Sequence, residues 1–161
     1  MSTEYKIQKT EDLVHIIERH KRDGKVVVTT NGCFDIIHVG HTRYLEYARS
    51  QGDLLVLAMN TDESVQWIKG PNRPLLKLAE RMRIMAAFWM VDYVTWFDET
   101  DPCSILSILK PDIHVKGGNY EMNQIIERDV VVKHGGRVVL SPVIPGNSTT
   151  NIIQRVIQQF S

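Results

Sequence analysis

The run Leu54-Leu55-Val56-Leu57-Ala58-Met59 is apolar at every position, with Gly52-Asp53 before it and Asn60 after it. A strand with one wet face alternates apolar and polar residues. Six apolar residues in succession therefore predict a strand covered on both faces, as in a parallel sheet between layers of helix. Four more strands read at Lys25–Thr30, Asp92–Phe97, Ile113–Val115 and Arg137–Leu140. Helical spacing of apolar residues separates them. One helix carries Leu13, Ile16 and Ile17, is capped by Thr10-Glu11-Asp12 and stops at Gly24; another carries Leu45 and Ala48 from His41 to Gly52. Others cover Leu78–Val91, the stretch from Asp101-Pro102 to Pro111, Glu121–His134, and the chain after Ser148. The expected fold is a Rossmann-like three-layer α/β/α sandwich with a five-stranded parallel sheet, residues 1–161 forming a single domain. Ligands of such sheets bind outside the carboxyl ends of the strands. No G-x-G-x-x-G follows the first strand, which removes most support for a nicotinamide dehydrogenase.

Composition excludes several function classes. Of 161 residues, 43% are hydrophobic and 24% charged, with 19 basic against 19 acidic side chains, so no global field favours nucleic acid or a membrane surface. Any anion site must be local. The sequence lacks an apolar run of about eighteen residues and an apolar N-terminal stretch, so neither a membrane span nor a secretory signal is expected and the cytoplasm is the expected compartment. Cys33 and Cys103 are expected to be reduced, small and hydrophobic; a nucleophilic Cys33 has no identifiable partner base.

The local anion site lies between the first strand and the helix that follows it, where His38 and His41 stand three residues apart. A helix start presents unpaired N–H groups and the positive end of the helix dipole, and two imidazoles on one side of it add donors for the same phosphate. Gly40 leaves room for close approach. The alternative for this pair is half of a zinc site with Cys33 as third ligand, which no further cluster completes. His15, His20 and His134 fall on helical faces without a motif and read as structural.

Other candidates surround it. Asn60, at a strand end, borders the pocket or serves turn and cap chemistry together with Asp62. Trp67–Lys77 reads as an irregular connection with Gly70, Pro71 and Pro74 among Lys69, Arg73 and Lys77; it either closes over phosphates or is a solvated loop. Lys116-Gly117-Gly118 follows a strand and suits a tight turn with exposed backbone. Ser148, Thr149 and Thr150 open the last helix; one hydroxyl caps it and the others are suited equally to holding phosphate.

Gly32-x-Phe34-Asp35-x-x-His38-x-Gly40-His41 resembles the signature of the cytidylyltransferase-like nucleotidyltransferase superfamily. Asn60-Thr61-Asp62-Glu63-Ser64-Val65, Lys69-Gly70, Arg73-Pro74, Glu80-Arg81, Val115-Lys116-Gly117-Gly118-Asn119-Tyr120 and Gly146-Asn147-Ser148-Thr149-Thr150 follow in the order of one branch. The chain is similar to the D-glycero-β-D-manno-heptose 1-phosphate adenylyltransferases, which make ADP-heptose for lipopolysaccharide, and to the adenylyltransferase half of bifunctional enzymes in which a sugar kinase precedes it. The resemblance implies transfer of AMP from ATP, with Mg²⁺, to the sugar 1-phosphate, release of pyrophosphate, and a separate sugar kinase in the pathway. It implies catalytic roles for His38, His41 and Lys69, and contacts to the acceptor phosphate from Lys69 and Arg73. Nucleotide contacts are implied for Gly32, Phe34, Asp35, Gly40, Asn60, Arg81, Lys116, Gly117, Gly118, Tyr120, Ser148, Thr149 and Thr150. Asp35 is expected to orient a histidine or a metal-bound water. Many members carry aspartate where Asn119 stands, so a role that needs negative charge there is lost, while an amide still hydrogen-bonds. Three rivals share these features: a cytidylyltransferase for a phosphorylated alcohol such as glycerol 3-phosphate or ethanolamine phosphate, a non-catalytic nucleotide-binding module, and a transferase whose acceptor is another sugar phosphate.

The helix expected at Leu78–Val91 has two apolar stripes, one of Leu78, Met82, Met85, Ala86 and Trp89 and one of Ile84, Phe88 and Val91. The second stripe needs a partner, either intrachain or a second subunit, and a homodimer is expected. Arg81 projects between the stripes and is expected to be buried in an ionic role.

Overall fold

A computed structural model describes residues 2–118, 120–142 and 148–160. Strands β1 (Val27–Gly32), β2 (Leu54–Asn60), β3 (Tyr93–Phe97), β4 (Ile113–Lys116) and β5 (Arg137–Leu140) form one sheet in the order β3-β2-β1-β4-β5. All four pairings are parallel. The helices are α1 (Thr10–Arg22), α2 (Val39–Arg49), α3 (Asp62–Lys69), α4 (Leu78–Ala86), α5 (Cys103–Leu109), α6 (Arg128–Lys133) and α7 (Thr149–Phe160). The fold is the expected Rossmann-like α/β arrangement.

Strand β2 shows why its sequence is apolar throughout. Leu55, Leu57 and Met59 join Leu45 and Ala48 of α2 and Met85 of α4 in one core. Leu54, Val56 and Ala58 join Leu13 and Ile17 of α1 and Ile105 and Leu109 of α5 in the other. Each buried leucine contributes about 1.5–3 kcal/mol relative to an exposed one, so both faces of β2 resist polar substitution. Strand order reverses beside β1: β2 and β3 lie to one side, β4 and β5 to the other. The register sets Thr30 beside both Leu57 and Val115, which brings the carboxyl ends of β1, β2 and β4 to one edge. This switch point is where an open α/β sheet offers a crevice.

Several boundaries differ from expectation, each for a tertiary reason. Strand β1 begins at Val27 and runs to Gly32; the Val26 N–H is taken by Asp53 and the Val27 N–H by Asp112. Helix α1 has Lys9 at its N-cap with no side-chain cap, and the Thr10 hydroxyl lies 3.3 Å from that of Thr95. Trp67, Ile68 and Lys69 continue α3, so the irregular connection starts at Gly70, whose φ of 95° ends the helix.

Helix α4 stops at Ala86 instead of reaching Val91. Lys6 donates to the carbonyls of Phe88 and Val91 at 3.1 and 2.7 Å and stabilises the turn that replaces the last helical residues. Val91 enters the core and Phe88 packs against it, while Ile84 and Trp89 are exposed. The second stripe is therefore not a continuous helical face.

The helix expected at Glu121–His134 is broken. A 3₁₀ turn spans Met122–Gln124 and α6 starts at Arg128, because Ile125 and Glu127 both point inward. Helix α7 buries none of its side chains fully; Val156, Ile157 and Phe160 are exposed. Among the described residues, no helix is long and apolar enough to cross a membrane.

Candidate active site

A cleft of about 610 Å³ opens at the switch point. Its floor is the end of β1 and the turn into α2. Phe34 in that turn has φ of 46°, a left-handed conformation that is costly for a bulky residue, and its ring lies 5.0 Å from that of His41. A Cβ on Gly32 would come within 2.9 Å of the Phe34 ring, so glycine makes the turn possible.

His38 is the N-cap of α2 and makes no side-chain cap, which leaves its ring free to stack on His41. The ring centroids are 3.8 Å apart. Burial lowers the pKa of both, and for His41 burial and then the neighbouring His38 bring it down to about 4. Both rings are neutral at pH 7. Nδ1 of each is buried with no hydrogen-bond partner among the described residues. Unmet buried donors or acceptors cost about 1–3 kcal/mol each, a cost that a ligand meeting them removes.

Asp35 does not orient a histidine. It is buried, and its carboxylate accepts from Arg73 Nε at 2.7 Å and from the N–H groups of Leu75 and Leu76. Burial by itself would raise its pKa, but these N–H donors and the Arg73 guanidinium outweigh it and hold the carboxyl below its usual range. Asp35 thus pins the connection after α3 to the signature turn. Arg73 lines the cleft as does Lys69, and of its guanidinium nitrogens only Nε is hydrogen-bonded among the described residues.

Arg81 is fully buried, as its position suggested, but does not line the cleft. Its guanidinium donates to the carbonyls of Leu76, Cys33 and Asn60 and to Asp62 Oδ1 at 2.6 Å. With its donors committed, it braces the pocket from behind. Asn60 lines the cleft while its amide donates to Ser64 Oγ, so it also serves the first turn of α3. Cys33 lines the cleft too; burial raises its thiol pKa, which disfavours a nucleophile.

The far wall comes from β4 and α7. A Cβ on Gly117 would fall 2.8 Å from the Tyr44 ring, and Gly118 has φ of 121° with Tyr120 against it. Tyr44 donates to Val115 O and contacts the Thr30 hydroxyl under this floor. Lys116 pairs with buried Glu127, so the two together bring no net charge to the cleft. Ser148 Oγ accepts from Asn151 N and caps α7; Thr149 Oγ1 donates to Ile36 O at 3.2 Å; Thr150 is exposed at the rim.

All the expected site residues except Arg81 line this one cleft. Asn119, Gly146 and Asn147 lie outside the described residues. Tyr44, His114 and Glu127 were missed. Tyr44 stands three residues after His41 on the same helix, a spacing that could have flagged it; Glu127 was hidden by the break before α6. Among the described residues no group of three or more His, Cys, Asp or Glu side chains is placed to hold a metal ion.

A helix start with two neutral histidines and nearby cations, set at the switch point of a parallel sheet, is an arrangement suited to an anion on a domain of the Rossmann-like class. The cytidylyltransferase-like family profile matches residues 29–155. The chain belongs to that family. It is 48% identical over 155 residues to the bifunctional protein HldE of Syntrophotalea carbinolica and equally to that of Geobacter metallireducens. In each case the match covers 96% of this chain and 32% of the relative, so the chain spans about a third of their length. Among solved structures, a lipopolysaccharide core biosynthesis protein from Thermoplasma volcanium is 26% identical, with a TM-score of 0.65 over 75% of this chain and 99% of that one. A pantoate-beta-alanine ligase from Francisella tularensis shares the fold, at 14% identity and a TM-score of 0.59 over 96% of this chain and 78% of that one.

Proposed function

We propose that the chain is an adenylyltransferase that joins AMP from ATP to D-glycero-β-D-manno-heptose 1-phosphate, giving ADP-heptose and pyrophosphate. The observation that carries this reading is the paired-histidine helix start, which lines one cleft together with Lys69, Arg73 and the α7 hydroxyls. The similarity to HldE and to a lipopolysaccharide core biosynthesis protein supports the choice of sugar.

The acceptor phosphate oxygen attacks the α-phosphorus of ATP as the bond to the bridging oxygen breaks, and pyrophosphate leaves with that electron pair. No protein nucleophile is required, because the attacking oxygen is already anionic. The protein's work is to align two like-charged groups and to meet the charge that gathers on the leaving group. His38 and His41, with Nδ1 atoms unpaired among the described residues, line the cleft at the start of α2 and suit that charge. Lys69 and the terminal nitrogens of Arg73 suit the acceptor and leaving phosphates. Mg²⁺ belongs to the reading as part of the MgATP substrate; Asp35, whose carboxylate is committed to Arg73 and the Leu75 and Leu76 N–H groups, does not hold it.

A separate sugar kinase supplying the acceptor, a cytoplasmic setting and a homodimer complete the proposal. With the second α4 stripe dissolved, the dimer rests on exposed Ile84 and Trp89 alone. The test is to supply MgATP or MgCTP with a panel of sugar 1-phosphates and phospho-alcohols and measure pyrophosphate. ATP with the heptose phosphate should give turnover and ADP-heptose. Turnover of CTP with glycerol 3-phosphate or ethanolamine phosphate, and not of ATP with the sugar, would overturn the reading.

A further inference from the structure

The β4 wall of the cleft carries a charged pair for which the reaction above has no use. Lys116, the last residue of β4, lines the cleft with its side chain 20% exposed, and its Nζ meets Glu127 Oε1 in a close charge-assisted hydrogen bond. Glu127 is 1% exposed, at the break just before α6. A carboxylate there is costly unless compensated. Lys116 compensates it on the cleft side, while on the core side the neutral His114 ring approaches it only to 3.8 Å, from Nε2 to the same oxygen.

His114 is fully buried, and its Nδ1 lies 2.9 Å from the Thr29 hydroxyl. Its Nε2 makes no hydrogen bond among the described residues, which leaves Lys116 as the charged partner of Glu127. Thr29, His114, Glu127 and Lys116 thus form one polar file from the sheet interior to the cleft. Lysine has a long, flexible stem, and a tip anchored by a rigid carboxylate is ordered before any ligand arrives. The Tyr120 ring, 5.4 Å from Nζ, limits its other side.

We propose that Glu127 is a positioning residue that fixes the Lys116 ammonium on the cleft wall, so that the remaining N–H groups of Lys116 meet substrate oxygens already in place. The proposal rests on the reading that this cleft takes ATP and a sugar phosphate. The pair is neutral as a unit, so Lys116 acts as a directed hydrogen-bond donor, and net attraction of phosphate falls to the histidine side of the cleft.

The test is a double-mutant cycle of Glu127→Gln, Lys116→Met and the double variant, reading kcat, KM for each substrate, the ATP dissociation constant by calorimetry, and the melting temperature. Glu127→Gln should lower kcat/KM by roughly 10- to 100-fold, the scale of a misplaced contact group. The double variant should be no worse than Lys116→Met alone, because Glu127 acts through Lys116. Losses that multiply, or a folded Glu127→Gln with kinetics within about twofold of the parent, overturn the proposal. Glu127→Asp keeps the charge but withdraws it by one methylene. It should fold and still lose several-fold in kcat/KM, so parental kinetics in that variant overturn the proposal even if Glu127→Gln fails to fold. A parent protein that releases no pyrophosphate defeats the assigned reaction instead, and the cycle is then read on ATP affinity, where parental affinity in Glu127→Gln overturns the positioning role.

Discussion

The imidazoles of His38 and His41 lie face to face, 24° from parallel, with their centroids 3.8 Å apart. Two cationic rings at this distance would repel, so the stack belongs to the neutral pair. A phosphate at the open helix start would make protonation of one ring favourable, which links charge on the ligand to charge on the protein.

If His41 acts on charge that develops during reaction, its loss should appear in turnover. His41→Ala should lower kcat by on the order of 10²–10³, about 3–4 kcal/mol, with ATP affinity largely kept. Steady-state kinetics beside calorimetric binding checks this. A normal kcat with a raised KM for ATP would instead make it a uniform binding group.

The same ring should leave a mark on stability. Its folded pKa, about 4, lies below the unfolded value of 6.5, so the unfolded chain binds more protons between those limits. The stability that His41 confers is complete above pH 6.5 and is lost as pH falls toward 4. Thermal melts across that window should fall more steeply for the parent than for His41→Asn, and parallel curves would contradict the assignment.

Arg81 should be far less tolerant than a surface arginine. Arg81→Met removes the donors that satisfy three carbonyls, that of Asn60 buried, and the partner of Asp62, a loss expected to cost about 3–5 kcal/mol. Arg81→Lys should not rescue it, since a single ammonium cannot span those acceptors. Urea denaturation midpoints decide the matter.

Asp35→Asn should loosen the connection after α3 without unfolding the sheet. The amide replaces an acceptor oxygen with a donor that faces Arg73 Nε, and hydrogen bonds to charged groups are worth about 1.5–3 kcal/mol. Limited proteolysis should show faster cutting between Gly70 and Lys77. Unchanged cutting would mean that Arg73 and the Leu75 and Leu76 N–H groups are held by other means.

The parts that could be read in advance depend on neighbours along the chain. The apolar run of β2 reported its two-sided burial directly, and the passage from β1 into the His38–His41 helix start follows from a strand pattern meeting a helix pattern. The parts that could not be read depend on partners far away. Lys6 ends α4 from more than eighty positions upstream, and Asp35 finds Arg73 and two N–H groups some forty positions further along the chain. Glu127 turns inward because Lys116 and His114 await it, which breaks a helix that local periodicity favours. Arg81 was rightly expected to be buried, but its three carbonyl acceptors carry no signal in sequence.

The bond from Thr149 to the carbonyl of Ile36 spans 113 positions and joins the start of α7 to the histidine turn. During synthesis the turn emerges before the helix that braces it, which follows every strand of the sheet. A nascent chain can therefore complete its sheet while the cleft still lacks one wall. Only when Thr149–Phe160 has left the ribosome does the histidine turn gain the Thr149 contact, so competence to bind nucleotide, if the proposed function holds, should trail folding of the sheet.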